Sequence, residues 1–228
     1  MITALYSDQV IAENAPMDRR LAALILSRGN RVGYITSDPD PQRAFFDEKR
    51  RYYMRYGLLL DPLVDLDALS DDEEISRLFS CNAIHLSGGH TGDFLRRLRQ
   101  SDMLDKLSAW ALDDGILVGT SAGAILMTPT IAVDALFSGG SPDAVQDGAA
   151  LDLLPFEFFP HLNDDPGYIS ALLRYSETTA TPILACRDGE GVILGNGLVE
   201  IFGAPLMISG GFAEVADRGR IADLLSRA

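Results

Sequence analysis

Residues 115–127 read GILVGTSAGAILM, in which an apolar run leads through a turn of small residues into a helix-prone segment. The central GTSAG, residues 119–123, matches the Gly-x-Ser-x-Gly pattern of a nucleophile elbow. A strand that turns sharply into a helix crowds its own backbone, so small residues flank the serine and its hydroxyl projects above the sheet edge. The stretch therefore predicts an α/β fold with Ser121 as a nucleophile. An ordinary strand–turn–helix with an unreactive serine is the alternative.

Apolar runs alternate with amphipathic stretches around this turn, as they do in a parallel sheet covered by helices. Strands are predicted at residues 31–36, 83–86, 115–119, 183–187, 192–194 and 198–202, the last two joined by a hairpin turn. Helices are predicted at residues 41–56, from the acidic run 71–74 onward, from the glycine turn at 87–92 through residue 99, and at 102–112 and 221–227. Beyond residue 128 the periodicity weakens, and residues 135–154 are predicted to form a loop.

Length and charge narrow the class of protein. The 228 residues are enough for one α/β domain over residues 1–228, with two small domains as the alternative. A net charge of -14 argues against a nucleic-acid partner and against docking on an anionic membrane. No apolar run is long enough to cross a bilayer, and the first eight residues lack the features of a signal peptide. We therefore expect a cytoplasmic protein, either a monomer or a homodimer.

The cysteines and histidines indicate which groups are available for chemistry. Cys81 and Cys186 lie within apolar runs, which predicts buried side chains rather than a disulfide or a metal site. The chain has three histidines, and their scatter argues against a catalytic zinc, so no cofactor is expected. His85 lies within a predicted strand and is interpreted as structural. His161 follows the apolar run Phe158-Phe159-Pro160 at a predicted strand end, where α/β folds assemble their sites, and is favoured as the base for the serine, with His90 second.

A second glycine-rich turn, SGGHTG at residues 87–92, follows a predicted strand. It has neither the Lys-Ser/Thr of a phosphate-binding loop nor the full dinucleotide-binding spacing. Beside a nucleophile elbow, this turn is suited to supply a backbone N–H to an oxyanion hole. A simple tight turn is the alternative.

These segments together resemble the peptidase E (aspartyl dipeptidase) and cyanophycinase family of serine peptidases. The matching segments are LSGGHT at 86–91, where the family has a Gly-Gly-Asn-Thr turn, GTSAGA at 119–124, FPH at 159–161 and RDG at 187–189. Their order and separations also fit, and the likeness runs from residue 30 to residue 203. Class I glutamine amidotransferases share the elbow but use cysteine as the nucleophile, so a serine at position 121 favours the peptidases.

The resemblance implies a three-layer sandwich with a mainly parallel central sheet, like that of the class I glutamine amidotransferases. It also implies a catalytic triad of Ser121 as nucleophile, His161 as general base and acid, and Asp188 as the orienting carboxylate. The backbone N–H groups of Gly89 and Ala122 are expected to bind the oxyanion. Glu190, two residues after Asp188, competes for the role of the acid. Asp188 is favoured because the family's acid also precedes a glycine and because it ends a predicted strand.

The chain departs from the family in its substrate-binding residues. Gly88, His90 and Arg174 are the candidates, but His90 stands where the family usually has asparagine. Aspartyl dipeptidases have an arginine shortly after the catalytic histidine, whereas the first arginine after His161 here is Arg174. The resemblance therefore implies a peptidase acting on short peptides without fixing aspartate specificity. An esterase or amidase with the same triad, and a catalytically silent binding protein, are the alternatives.

Overall fold

The computed structural model describes residues 1–68 and 72–227 of the chain. Within these ranges the strands, in chain order, are β1 (Ile2–Tyr6), β2 (Arg31–Thr36), β3 (Leu59–Asp65), β4 (Ala83–Leu86), β5 (Ile116–Thr120), β6 (Glu157–Phe159), β7 (Ile183–Ala185), β8 (Gly191–Gly195), β9 (Leu198–Phe202), β10 (Leu206–Ser209) and β11 (Phe212–Val215). The helices are α1 (Ala15–Leu26), α2 (Ala44–Met54), α3 (Asp72–Phe79), α4 (Thr91–Gln100), α5 (Met103–Leu112), α6 (Ala122–Ile125), α7 (Gly167–Tyr175) and α8 (Arg218–Leu225).

The strands form a seven-stranded sheet and a four-stranded sheet. The larger sheet has the order β3-β2-β4-β5-β1-β8-β9, with β1 to β5 parallel and β8 and β9 antiparallel. Because β1, β2, β4 and β5 are parallel, their carboxyl ends lie at one edge, and a serine follows each of them: Ser7, Ser37, Ser87 and Ser121. The smaller sheet has the order β11-β10-β7-β6, in which β6 and β7 are parallel.

Two hydrophobic cores lie on opposite faces of the seven-stranded sheet. Successive side chains of a strand point to opposite faces, and accordingly Ala4 and Tyr6 belong to one core while Leu5 belongs to the other. Helices α1 and α2 cover the first core, whereas α3 to α8 and the four-stranded sheet pack around the second. This arrangement confirms the predicted three-layer α/β fold with a mainly parallel central sheet.

Several predicted elements are confirmed, with differences at their ends. The strands β2 and β4, and the β8–β9 hairpin, form where the sequence predicts them. Helix α2 is shorter than the predicted 41–56 because Arg43 has a left-handed backbone and the Asp40 carboxylate accepts the N–H groups at the helix start. Helix α3 begins at Asp72, and Asp71 of the acidic run lies outside the described residues. Helix α8 begins at Arg218 rather than 221, with the Asp217 side chain as its N-terminal cap.

The predicted strand 183–187 was wrong at its carboxyl end. Strand β7 ends at Ala185, and residues 187–190 form a turn in which the Glu190 N–H donates to the Arg187 carbonyl at 3.0 Å. Gly189 has a φ of 87°, which permits this turn. The predicted loop 135–154 includes the 3-10 segment Pro142–Ala144 and the end of another, Ala132–Ser138. In the described part of the chain, no helix is long and apolar enough to cross a membrane.

Candidate active site

Ser121 lies at a strained turn between β5 and α6. Its φ of 50° and ψ of -112° lie outside the regions that side-chain-bearing residues usually adopt. The turn is held by backbone hydrogen bonds from the Ser121 N–H to the Tyr6 carbonyl, at 3.0 Å, and from the Gly123 N–H to the Ser87 carbonyl, at 3.1 Å. A Cβ atom on Gly123 would clash with the Leu86 carbonyl, so a glycine is required there. The structure thus has the predicted strand–serine–helix geometry.

The structure brings Ser121, His161 and Asp188 together. The Ser121 Oγ lies 2.9 Å from His161 Nε2, and His161 Nδ1 lies 2.7 Å from Asp188 Oδ1. With the proton of neutral His161 on Nδ1, the ring donates to the carboxylate and Nε2 is free to accept the serine proton. His161 follows β6 and Asp188 follows β7, so the parallel pairing of these two strands brings the two side chains to the same edge.

Ser7 forms hydrogen bonds with both His161 and Asp188, and the sequence did not predict this role. Its buried hydroxyl accepts the backbone N–H of His161 at 2.7 Å and donates to Asp188 Oδ1 at 2.9 Å. Ser7 follows β1, next to β5 in the seven-stranded sheet, whereas His161 and Asp188 follow strands of the four-stranded sheet. One hydroxyl therefore joins the two sheets at the candidate site. The recurrence of serine after β1, β2, β4 and β5 is the sequence signal that points to it.

Asp188 and Glu190 have different surroundings. The Asp188 N–H donates to Asn163 Oδ1 at 2.7 Å, and Asn163 Nδ2 lies 3.4 Å from the Asp188 carboxylate. The Glu190 carboxylate instead accepts the backbone N–H groups of Arg187 and Ala204, at 2.8 and 3.0 Å. Among the described residues, Asp188 is the carboxylate that contacts His161, and Glu190 closes a neighbouring turn.

The glycine turn after β4 lies against Ser121. A Cβ atom on Gly88 would lie 3.6 Å from the Ser121 Cβ, which places this residue beside the serine. Gly89 has a φ of 145°, and a side chain there would collide with Ser37. The N–H groups of Gly89 and Ala122 donate no hydrogen bond to another residue within 1–68 and 72–227. Both N–H groups are thus free to donate to an acceptor, as the predicted oxyanion hole requires.

Two predicted substrate-binding side chains have no contact with the triad residues. His90 caps helix α4, where its Nδ1 accepts the Asp93 N–H at 3.2 Å, and its side chain is 69% exposed. Arg174 lies on the last turn of α7, is exposed, and makes no hydrogen bond or ion pair through its side chain with any described residue. Neither side chain is brought to Ser121, His161 or Asp188, so their roles stay predictions.

A buried ring of hydrogen bonds supports the strand end before Ser121. Tyr53 Oη lies 2.8 Å from His85 Nδ1, and His85 Nε2 lies 3.2 Å from Thr120 Oγ1. Gln9 completes the ring through its contacts with Thr120 and Tyr53, each at 3.4 Å. Burial holds the pKa of His85 well below its usual value, and the Lys49 ammonium lowers it further. His85 is therefore neutral and structural at this position.

A cavity of about 390 Å³ opens beside the glycine turn. Gly88, Gly89 and Thr120 form its side next to Ser121, and Lys49 lies in its wall. The Lys49 ammonium donates to Gln9 Oε1 at 2.9 Å, and burial lowers the pKa of Lys49 to about 8. Asp8, Asp38 and Glu48 also line the cavity, so it presents charges of both signs. The sequence patterns did not identify this cavity, because α2 and the loops after β1 and β2 meet there only in the folded chain.

A strained serine at a strand-to-helix turn, hydrogen-bonded to a histidine and through it to an aspartate, is the arrangement typical of hydrolases with a three-layer α/β fold. The family model of Peptidase family S51 matches residues 12–202. The chain belongs to peptidase family S51 and is a peptidase. The matched residues include Ser121, His161 and Asp188.

Two solved structures have the same fold. One is a crystal structure of a protein from Listeria monocytogenes EGD-e assigned as a peptidase E, with 20% sequence identity and a TM-score of 0.69, covering 88% of this chain and 96% of that chain. The other is a peptidase from an acI-B1 actinobacterium, with 15% identity and a TM-score of 0.69, covering 94% of this chain and 93% of that chain. At these identities the likeness concerns the fold.

Proposed function

We propose that this peptidase is a serine peptidase that hydrolyses short peptides through an acyl-enzyme on Ser121. The observation that carries the proposal is the series Ser121 Oγ–His161 Nε2, at 2.9 Å, and His161 Nδ1–Asp188 Oδ1, at 2.7 Å. Both distances are those of hydrogen bonds, so the Ser121 hydroxyl is close enough to the imidazole to transfer its proton directly. Membership of a peptidase family supports an amide as the bond that is cleaved.

In the proposed mechanism, His161 takes the proton of Ser121 as the serine oxygen attacks the scissile carbonyl carbon. The N–H groups of Gly89 and Ala122 stabilise the negative charge that develops on the carbonyl oxygen. His161 then gives its proton to the leaving amine, the C–N bond breaks, and the acyl group stays on Ser121. A water molecule, deprotonated by His161, attacks the ester, and the serine recovers its proton. Asp188 orients the imidazole and stabilises its cationic form throughout.

The preference for short peptides rests on the segment between Ser121 and His161. Phe137 of this segment borders the site, with its ring centroid 6.2 Å from that of the His161 imidazole. The segment is held by a bridge between Thr130 and Ala149 and by a hydrogen bond from the Thr91 hydroxyl to Asp134. The neighbouring cavity of about 390 Å³ has room for a side chain rather than for a folded loop of protein. A partly covered site of this kind favours substrates of two or three residues over long chains.

The test is hydrolysis of matched substrates by the wild type and by Ser121→Ala prepared in parallel. We expect the wild type to cleave dipeptides and tripeptides, to cleave denatured casein poorly, and to react with a fluorophosphonate probe. Cleavage of esters without cleavage of amides would reassign the protein as an esterase. Absence of both turnover and labelling would contradict the proposal and favour a silent binding protein.

A further inference from the structure

Three aromatic rings form a wall beside His161. This aromatic wall consists of Phe137, Phe159 and Tyr168. Phe137 stacks on Phe159 with ring centroids 4.9 Å apart and lies edge-to-face with Tyr168 at 5.6 Å. The centroid of Phe137 also lies 6.2 Å from that of the His161 imidazole. These distances are those of direct ring contacts, so the wall borders the group that the proposed mechanism uses as base and acid.

The wall is partly open to solvent. Phe159 is buried, but Phe137 is 36% exposed and Tyr168 is half-buried. The stack therefore presents an uncovered aromatic surface next to the imidazole. An aromatic surface of this kind gains free energy when an apolar group covers it.

The chemistry of amide cleavage determines which part of a substrate lies against the aromatic wall. The leaving amine takes its proton from His161 Nε2, so its nitrogen must come within hydrogen-bond distance of that atom. The residue that carries the amine is then next to the imidazole and within reach of Phe137. The acyl part, in contrast, is attached to Ser121, which lies beside Gly88 of the cavity wall.

We propose that the aromatic wall is the leaving-group subsite and that it selects substrates whose amine-side residue is large and apolar. This inference rests on the proposed serine peptidase function and adds the specificity on one side of the scissile bond. Phe137 is the specificity-determining residue, because it alone of the three rings combines contact with His161 and exposure.

The wall is preformed. Phe137 lies in the 3-10 segment Ala132–Ser138, which is fastened to helix α4 by the Thr91–Asp134 hydrogen bond and to β6 by the stack on Phe159. A subsite that is held in place by its own packing is already ordered before the substrate binds, so binding costs little conformational entropy.

The charge near the wall disfavours an acidic leaving residue. Burial raises the pKa of Tyr168, and the carboxylates of Asp165 and Asp164 raise it further. The same two carboxylates would repel a negative side chain laid against the wall. Aspartate or glutamate on the amine side should therefore be the poorest of the large residues.

The experiment compares two series of dipeptides. Both series contain the same set of acyl residues, and they differ only in the leaving residue, which is phenylalanine in one and glycine in the other. We expect the wild type to favour the phenylalanine series by about tenfold in kcat/KM. Phe137→Ala should lose most of this preference, because it should slow the phenylalanine series severalfold more than the glycine series. Phe212→Ala, a control ring that is 81% exposed on β11, should keep the full preference.

A second measurement separates specificity from a general loss of structure. Amines capture an acyl-enzyme by reversing the first half of the reaction, and they bind where the leaving amine departs. In the wild type, phenylalaninamide should capture the acyl group about tenfold better than glycinamide, and Phe137→Ala should make the two equal. This ratio does not depend on how much active enzyme remains.

The outcomes distinguish the two levels of the proposal. A wild type that is active and labelled by fluorophosphonate but shows no difference between the two series overturns the aromatic subsite alone. Equal losses in both series for Phe137→Ala, with an unchanged capture ratio, also overturn it. A wild type that is neither active nor labelled overturns the proposed function, and the subsite with it.

Discussion

The two sheets contribute different parts of the candidate site and hold them in different ways. Ser121 follows β5 of the seven-stranded sheet, and backbone hydrogen bonds to Tyr6 and Ser87 fix the turn around it. His161 and Asp188 follow strands of the four-stranded sheet, and side chains of Ser7 and Asn163 fix them. Ser121 is therefore positioned by its own local motif, whereas His161 and Asp188 depend on hydrogen bonds from distant parts of the chain.

The largest loss of activity is expected from substitution of Ser121, which follows a strand of the seven-stranded sheet. Ser121→Ala removes the proposed nucleophile but leaves a small residue at the turn, so the protein should fold and lose at least about a thousandfold in kcat. His161→Ala should match this loss, because the two residues act as a unit. Turnover by purified Ser121→Ala, followed against the wild type by steady-state kinetics, is the measurement. Undiminished turnover would remove Ser121 from the mechanism.

The next effect compares two carboxylates on the four-stranded side. Asp188→Asn keeps the size of the side chain but no longer fixes the tautomer of His161, and kcat should fall by at least about a hundredfold. Glu190→Gln, the matched control, should change kcat by less than about tenfold, because the Glu190 carboxylate accepts backbone N–H groups away from His161. Kinetics of both variants, with circular dichroism to confirm folding, decide the assignment. A larger loss from Glu190→Gln means that the acid is misassigned.

A smaller effect tests the connection between the sheets. Ser7→Ala leaves the His161 N–H without its acceptor and removes one donor from Asp188, so kcat should fall by about tenfold. Thr3→Val is the control, on the strand that precedes Ser7, since the buried Thr3 hydroxyl has no partner among the described residues. The control should keep the wild-type kcat. If Ser7→Ala also keeps it, Ser7 is not needed to align the two sheets.

The smallest effect is expected at His90. His90→Asn replaces an exposed helix cap with a residue that caps equally well, and kcat/KM should change by less than about threefold. The measurement is kcat/KM for a cleaved dipeptide. A loss as large as that of His161→Ala would make His90 the base, contrary to the geometry of the site.

The sequence predicts the residues that are held by local structure better than those that are held by contacts between distant parts of the chain. The elbow is local: the turn around Ser121 requires glycine at positions 119 and 123, so the pattern can be recognised within five residues. Histidine is scarce in this chain, and this scarcity makes His161 a candidate base from the amino-acid sequence alone. Ser7 is separated from His161 by 154 positions and from Asp188 by 181 positions in the sequence, so no local pattern encodes these contacts.

Two of the strands that the sequence did not predict, β3 and β11, have physical reasons of their own. Strand β3 is an edge strand, and Pro62 interrupts its apolar run, so its sequence lacks the signal of a central strand. Strand β11 is exposed along its whole length and has no buried face to impose alternation. Phe137 lies in a stretch without periodicity, and its position next to His161 comes from packing on β6. The amino-acid sequence therefore predicts a candidate nucleophile but not the surface that surrounds it.

The central claim is that Ser121 is activated by His161, and covalent labelling tests it most directly. The wild type is treated with a fluorophosphonate, and the modified residue is located by mass spectrometry of the intact protein and of its peptides. We expect a single adduct, on Ser121, and no adduct in His161→Ala. An adduct on another residue, or an unlabelled wild type that still cleaves peptides, would contradict the account.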